Sequence, residues 1–395
     1  MLIGLVGKPS AGKSTFFKAA TLVDVAIASY PFTTIKPNHG IGYVKVECIE
    51  NEFNVKCQPR HGFCINGKRF VPIEIIDVAG LVPGASEGKG LGNQFLDDLR
   101  QADVFIHIVD CSGTTDSEGK ITKMASHDPI KDIEFLEEEL DKWYYGILIK
   151  AWKSFCKKIE SNKDLKFSEE VSKQFSGLKV SEEDVKKTLF KLNLSDKPSN
   201  WSQEELFNFA SSLRKESKKT IIAANKIDLE KSKENYERIK KRFPDMKIVP
   251  CSSEYELILR EASKNGFIDY IPGEKEFVIL KDLNDKQKEI LNEIKNFLET
   301  YGSTGIQEIL NIAVFDLLGY IAVFPAGSTK LKDSEGRILP DCFLINKGST
   351  ALDFAFLIHT DLGKNFVKAI DVRTKKILGK DYELKNRDAI EIITR

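Results

Sequence analysis

The residues Gly7-Lys8-Pro9-Ser10-Ala11-Gly12-Lys13-Ser14 fit the spacing G-x-x-x-x-G-K-S/T, with the apolar run LIGLVG before them and TFFKAATL after. A strand, a glycine turn and a helix in that order make a phosphate cradle. The glycines let backbone N–H groups curl around an anion, and the helix N-terminus adds positive potential. In such a cradle Lys13 reaches the β- and γ-phosphates, Ser14 ligates Mg²⁺, and Thr15 lies in the first turn of the helix beneath them. The competing reading, a glycine turn without function, leaves the flanking strand and helix unexplained.

Three further stretches carry matching chemistry. Ile73-Glu74-Ile75-Ile76-Asp77-Val78-Ala79-Gly80 brings an aspartate to the end of an apolar strand, where it can hold Mg²⁺ through water while the Gly80 N–H touches a γ-phosphate; the bland alternative for Asp77 is a turn cap. In YPFTTIKPN, either Thr33 or Thr34 can close on the same ion when a γ-phosphate is present, and Pro31 and Pro37 stiffen the loop ends. Spacing does not choose between the two threonines; Thr34 is placed with Ser14 and Asp77 as a metal ligand, and with Lys13 and Gly80 in the catalytic set. Asn225-Lys226-Ile227-Asp228 ends another apolar strand. A carboxylate there accepts hydrogen bonds from N1–H and the exocyclic amine of guanine, a donor pair that adenine lacks. Asn225 ties this loop to the phosphate loop, the Lys226 stem covers the base, and Pro250-Cys251-Ser252-Ser253 offers the guanine O6 a backbone N–H.

These residues need a scaffold that gathers strand ends. Runs apolar on both faces recur at 71–79, 104–111, 220–226 and 247–253, as in a parallel sheet covered by helices. Residues 119–218 interrupt them with helical period: Ile133, Leu136, Leu140, Tyr144, Ile147, Ala151 and Phe155 form a stripe with Trp143 and Trp152 beside it. We read this as a helical hairpin mounted on the sheet domain, its aromatic stripe serving as core. Residues 276–318 read as a helical connector, and 319–395 as a small mixed α+β unit. The expected architecture is α/β: a doubly wound, mostly parallel sheet domain (1–118 and 219–275), a helical insertion, the connector and a small C-terminal β-containing domain.

Bulk composition agrees. A chain of 395 residues is too long for one core, and 42% hydrophobic with 30% charged residues fits a globular protein. A net charge of zero excludes polyanion binding by bulk charge, and no apolar run approaches the ~20 residues of a bilayer span. MLIGLVGKPSAGKS runs directly into the glycine motif and reads as a strand, not a signal peptide. Seven cysteines, an odd count, point to reduced thiols and a cytoplasmic setting.

The order GKPSAGKST, YPFTT, DVAGLVPGASEGKGLGNQFLDDLRQAD, NKID resembles the Obg-related translation-factor GTPases of the TRAFAC class, and the helical insert resembles the YchF-type branch. LPDCFLINKGSTALDFAFLIHTDLGKNFVKAIDV resembles a TGS domain, a ubiquitin-like β-grasp module. The resemblance implies a P-loop GTPase fold, GTP hydrolysis with Mg²⁺, and association with ribosomes or RNA through the TGS-like domain and the insert, with no membrane partner. Many YchF-type proteins lack NKxD and prefer ATP; Asn225 and Asp228 favour guanine here. Relatives activated by potassium carry asparagine where this chain has Ser10, which weakens the case for that ion.

Leu81 stands where many such proteins place a water-orienting glutamine, and glycines follow at 84, 88, 90 and 92. Slow turnover is expected, raised when a cation, a partner side chain or an ordered switch loop supplies what Leu81 cannot. The alternatives are an ATPase of the YchF type, or an adaptor that holds nucleotide with negligible turnover. Cys48, Cys57, His61 and Cys64 form a candidate Zn²⁺ set, although C-x₃-H-x₂-C lacks a paired C-x₂-C and cysteines also serve as small buried residues. Lys364, Lys368, Arg373, Lys375 and Lys376 form a candidate RNA-backbone face. His107 reads as a core residue and His359 as a structural one.

Overall fold

The structure, a computed structural model, describes residues 1–22, 38–78, 100–123, 126–162, 165–195, 197–327, 331–333 and 335–395. Thr33, Thr34, Gly80, Leu81 and the glycines at 84–92 lie outside them. In chain order the elements begin with β1 (Leu2–Val6), α1 (Lys13–Thr21), β2 (His39–Glu47), β3 (Phe63–Ile65), β4 (Lys68–Asp77) and β5 (Val104–Asp110). Then come α2 (Pro129–Ser161), α3 (Phe167–Gln174), α4 (Glu182–Leu192), α5 (Gln203–Ser217), β6 (Thr220–Asn225), α6 (Ser232–Arg242), β7 (Lys247–Pro250) and α7 (Ser253–Lys264). The chain continues with β8 (Ile268–Tyr270), β9 (Phe277–Ile279), α8 (Asp285–Tyr301), α9 (Ile306–Asn311), β10 (Tyr320–Pro325) and β11 (Phe343–Asn346). It ends with α10 (Ala351–Ile358), α11 (Thr360–Lys364), β12 (Phe366–Asp371), β13 (Ile377–Leu378) and β14 (Ala389–Thr394).

The chain divides into two compact units, Met1–Lys18 with Ile75–Glu256, and Ala19–Glu74 with Leu257–Arg395. In the first, the end of β4 lies beside β1, and β1, β5, β6 and β7 follow in parallel register. Every residue of β1 and β5 is buried, as the continuous apolar runs require of strands covered on both faces. Parallel strands end on the same side of the sheet, so the residues after β1, β5, β6 and β7 meet at one edge.

The insert holds four helices rather than a plain hairpin: α2 packs along α5, and the shorter α3 and α4 lie between them in sequence. Asp128 caps α2 ahead of Pro129, and Ser202 with Glu205 forms a capping box on α5. The aromatic stripe is core: Leu136, Leu140, Trp143, Tyr144, Trp152 and Phe155 pack with Trp201, Phe209 and the sheet residues Val6 and Phe105. Ile133, nearer the start of α2, joins Val109, Ile222 and Ile239 in a neighbouring cluster on the same face of the sheet. The eight-residue α3 completes too few turns to show a stripe, whereas α4 follows SEEDV at 181, a serine cap with acidic residues in the first turn that reads as a helix start.

In the second unit β3 and β4 form an antiparallel hairpin with β2 beside β4. The C-terminal sheet has the order β11-β10-β14-β12-β13, with α10 packed through Phe354 against Val323, Ala369 and Ile390. The stretch 276–318, expected to be helical, starts with β9, which pairs with β8. Three residues of β-branched and aromatic character are too few to betray a strand by alternation.

Candidate nucleotide site

The phosphate loop joins β1 to α1 with backbone that few residues tolerate. Gly7 has φ +148° and Gly12 φ +103°, and Ser10 itself sits at φ +59°. A Cβ at Gly12 would lie 2.2 Å from Asn225 Nδ2, and one at Gly7 would lie 2.5 Å from the Ile108 carbonyl oxygen, so both positions need glycine for space as well as for φ. The Lys13 ammonium is buried and donates to the carbonyls of Gly7 (3.0 Å) and Lys8 (2.8 Å), which folds it over the loop. Ser14 Oγ donates to Asp77 Oδ2 at 3.0 Å, joining the two predicted metal ligands that lie among the described residues. The other oxygen, Asp77 Oδ1, is buried without a partner among the described residues. Burial raises the Asp77 carboxyl above its ordinary value, against the pull of Ser14 and Lys13.

Burial lowers Lys13 to about 8, with Asp77 opposing the shift. The sign of the consequence follows. Between about 8 and its ordinary 10.5 the unfolded chain holds a proton that the folded chain lacks, so the free protein gains stability as pH rises through that window. A bound polyphosphate favours the ammonium and lifts its pKa. Anion binding is therefore expected to take up a proton above pH ~8, and to weaken up to about tenfold per further pH unit. Calorimetry in buffers of different ionisation enthalpy measures that uptake, and Lys13→Ala should abolish it.

At the other end of the crevice Asn225 ends β6. Its Nδ2 donates to the Ala11 carbonyl (3.0 Å), and its Oδ1 accepts from the Ser253 N–H (3.0 Å) and Oγ (2.9 Å). It therefore ties the phosphate loop to the start of α7. The Ser253 amide is thus committed to Asn225, and Ser252, fully buried, accepts from the Tyr255 N–H through Oγ at 3.2 Å. Lys226, at φ +60°, stretches along the loop to the Ser10 carbonyl (3.2 Å) and Asp110 Oδ2 (2.9 Å). Asp228 Oδ1 is a second buried oxygen without a partner among the described residues. Two carboxylate oxygens stripped of water and left without donors are costly, about 1–3 kcal/mol each or more, and mark places where a ligand belongs.

Sequence reasoning missed two supports. Asp110, at the end of β5, accepts from Ser112, Thr115 and Lys226 and so fixes the Lys226 stem. Its signal was available: like Asp77 it closes an apolar strand at the same sheet edge. Lys8 is held from behind by the Thr115 carbonyl (2.7 Å) and Asp132 (2.9 Å), and Asp132 also meets His127 Nε2 (2.7 Å). A cavity of about 310 Å³ lies there, lined by His107, His127, Asp132 and Phe135 among others. His107 is a buried strand residue, as expected, and burial pushes its imidazole down to about 3.

Elsewhere the predicted residues fare unevenly. Cys48, Cys57 and Cys64 converge, but the fourth member of the group is Glu50, not His61. Cys48 N-caps a short 3₁₀ turn, Ile49–Phe53, and this turn carries the Glu50 carboxylate back to the Cys57 N–H at 2.7 Å. On the candidate RNA face Lys364, Arg373, Lys375 and Lys376 are exposed and Lys368 is half-buried on β12. Arg373 pairs with Glu52 at 2.5 Å, which diverts it from phosphate. His359 caps α11, its Nδ1 accepting from the Asp361 N–H at 3.1 Å. Among the described residues no helix is long and apolar enough to cross a membrane.

Comparison with known proteins agrees with this geometry. Residues 2–142 match the 50S ribosome-binding GTPase family, 223–327 the G4 motif-containing domain of Obg-like YGR210-like GTPases, and 322–394 the TGS domain. An uncharacterized GTP-binding protein of Methanocaldococcus jannaschii is 47% identical, over 100% of this chain and 99% of its own length. The ribosome-binding ATPase YchF of Buchnera aphidicola is 30% identical over 93% of this chain and 86% of its own. The crystal structure of a GTP-binding protein from Pyrococcus horikoshii is 40% identical and superposes with a TM-score of 0.79, covering 100% of both chains. With its P-loop domain, helical region and C-terminal TGS domain, this chain belongs to the YchF-type Obg-like GTPases.

Proposed function

We propose that the chain binds Mg²⁺-GTP in the crevice between the phosphate loop and the Asn225–Asp228 loop, hydrolyses it slowly to GDP and phosphate, and acts as a ribosome- or RNA-associated switch in the cytoplasm. The observation that carries this reading is the pair of orphaned buried oxygens, Asp77 Oδ1 and Asp228 Oδ1, on loops flanking one phosphate cradle. Residues 7–15 hold the phosphates. Ser14 and Asp77 hold Mg²⁺, which neutralises developing charge on the phosphates when bound. Thr34 or Thr33 and the Gly80 N–H complete the γ-phosphate contacts. Asp228 reads the guanine edge, the Lys226 stem covers the base, and the Ser252–Ser253 turn contacts it. The domain limits 1–118 with 219–275, 119–218, 276–318 and 319–395 go with this reading.

Leucine at position 81 cannot orient water. Turnover by the pure protein is expected at about 10⁻⁴ to 10⁻² per second, the range of unassisted or partly assisted GTPases. Ordering of residues 81–95 by a partner supplies the missing stabilisation, since a glycine-rich loop is cheap to remodel and costly to order alone. Lys364, Lys368, Lys375 and Lys376 offer a backbone-binding face, whose affinity should fall steeply with salt. Single-turnover hydrolysis with and without ribosomes tests the reading. Acceleration of an order of magnitude or more is expected, and fast turnover by the protein alone contradicts it. A second reading, ATP in place of GTP, is favoured by the name of the Buchnera relative. The Asn225–Asp228 loop weighs against it, and nucleotide competition decides.

A further inference from the structure

We propose that Cys48, Glu50, Cys57 and Cys64, in the second unit, form a structural Zn²⁺ site. Their Sγ and carboxylate oxygen atoms all lie within 4.8 Å of one another, and three of the four residues are buried. The spacing is that of a metal polyhedron, not of a disulfide. Cys48 Sγ and Cys57 Sγ are 3.8 Å apart, far beyond the ~2.05 Å of a bonded pair. Two thiolates each ~2.3 Å from a tetrahedral Zn²⁺ stand about 3.8 Å from each other. A thiolate and a carboxylate oxygen at ~2.1 Å stand about 3.6 Å apart; Cys64 Sγ and Glu50 Oε1 are at 3.4 Å.

The surroundings are built to orient those donors. Glu50 Oε2 accepts the Cys57 N–H at 2.7 Å, which turns Oε1 towards the thiols as a single-oxygen ligand. The Cys48 N–H donates to the Gly67 carbonyl at 2.7 Å and fixes the end of β2 against the β3–β4 turn. Arg69, fully buried, stands opposite Cys64 in the β3/β4 register. A divalent cation with thiolate preference lets all three thiols ionise, releasing their protons. Four protein donors leave no open position, the mark of a structural rather than a catalytic site.

The site would also anchor a segment without regular secondary structure. Residues 54–62 form no helix or strand, yet the Gln58 and Arg60 N–H groups donate to the carbonyls of Ile338 and Pro340, each at 2.8 Å. Cys57 adjoins Gln58, so metal binding pins the loop that meets the 338–340 segment.

The test uses the full chain, stripped with a chelator under reducing conditions and retitrated with Zn²⁺ alone, or with Co²⁺ as the spectroscopic probe. One ion per chain is expected, with thiolate-to-cobalt charge-transfer bands and ligand-field bands of a tetrahedral centre, and a higher melting temperature in the metal-bound form. Cys57→Ser and Cys64→Ser should lose stoichiometric metal, and Glu50→Gln should bind it more weakly. His61→Ala and Cys156→Ser should retain it; circular dichroism checks that each variant is folded. Wild-type protein that takes up no stoichiometric metal overturns the proposal even if every variant unfolds. So does metal retained by folded Cys57→Ser, metal lost with His61→Ala but not with Glu50→Gln, or a Cys48–Cys57 disulfide in its place.

Discussion

Lys13→Ala is expected to weaken binding of GTP and ATP alike by about 100- to 1000-fold, because the lost contacts are to phosphates that both share. Charge-assisted hydrogen bonds are worth about 1.5–3 kcal/mol each, and two of them reach that range at ~1.4 kcal/mol per decade. The contrast with folding is diagnostic. Lys13 is a buried ammonium whose only described acceptors are the Gly7 and Lys8 carbonyls, and its pKa of about 8 shows that the free fold disfavours its charge. Removing it should leave thermal stability at neutral pH unchanged or slightly raised while affinity collapses. Nucleotide titration alongside a thermal melt checks both. Loss of stability with affinity intact would make Lys13 a structural residue.

Asp228→Ala is expected to act on base choice alone. Two hydrogen bonds from guanine to one carboxylate should be worth at least about 3 kcal/mol, hence about 100-fold or more in GTP and GDP affinity. ATP affinity should stay within about threefold, because the phosphate loop does not touch Asp228's work. Among the described residues Asp228 Oδ1 has no donor, so its removal should cost the fold little. Asp228→Asn should transfer preference to xanthine nucleotides, whose 2-oxo group accepts where guanine donates. Competition of GDP, XDP and ADP against a fluorescent nucleotide reads both variants. Equal losses for guanine and adenine would remove Asp228 from the base site.

The phosphate loop and the Asn225–Asp228 loop were legible because each is a short backbone device: its spacing is local, and its position after an apolar strand follows from the parallel sheet. Asn225 shows the reach of such reasoning, since the tie from β6 to Ala11 follows from its place at a strand end. What stayed hidden depends on tertiary approach. Lys8 meets Asp132 across more than a hundred residues, and nothing in either local sequence announces the pair. Glu50 replaces His61 at the cysteine cluster because a 3₁₀ turn, invisible to periodicity, folds its carboxylate back. β12 hid inside a stretch read for its lysines because FVKAID does not alternate: its register shifts between Phe366 and Lys368, and only Ala369, paired with Ile392 of β14, is fully buried. The aromatic stripe of α2 was plain for the opposite reason: 33 residues complete enough turns for the period to emerge.

The central claim is that Lys13, Asp77 and Asp228 serve one bound guanine nucleotide. Calorimetric titration of the nucleotide-free chain with GDP and a non-hydrolysable GTP analogue, with and without Mg²⁺, tests it most directly. The account predicts one site per chain, tighter for guanine than for adenine, with the triphosphate analogue strengthened by Mg²⁺ and that gain lost in Asp77→Ala. No uptake of guanine nucleotide, or binding indifferent to all three side chains, contradicts it.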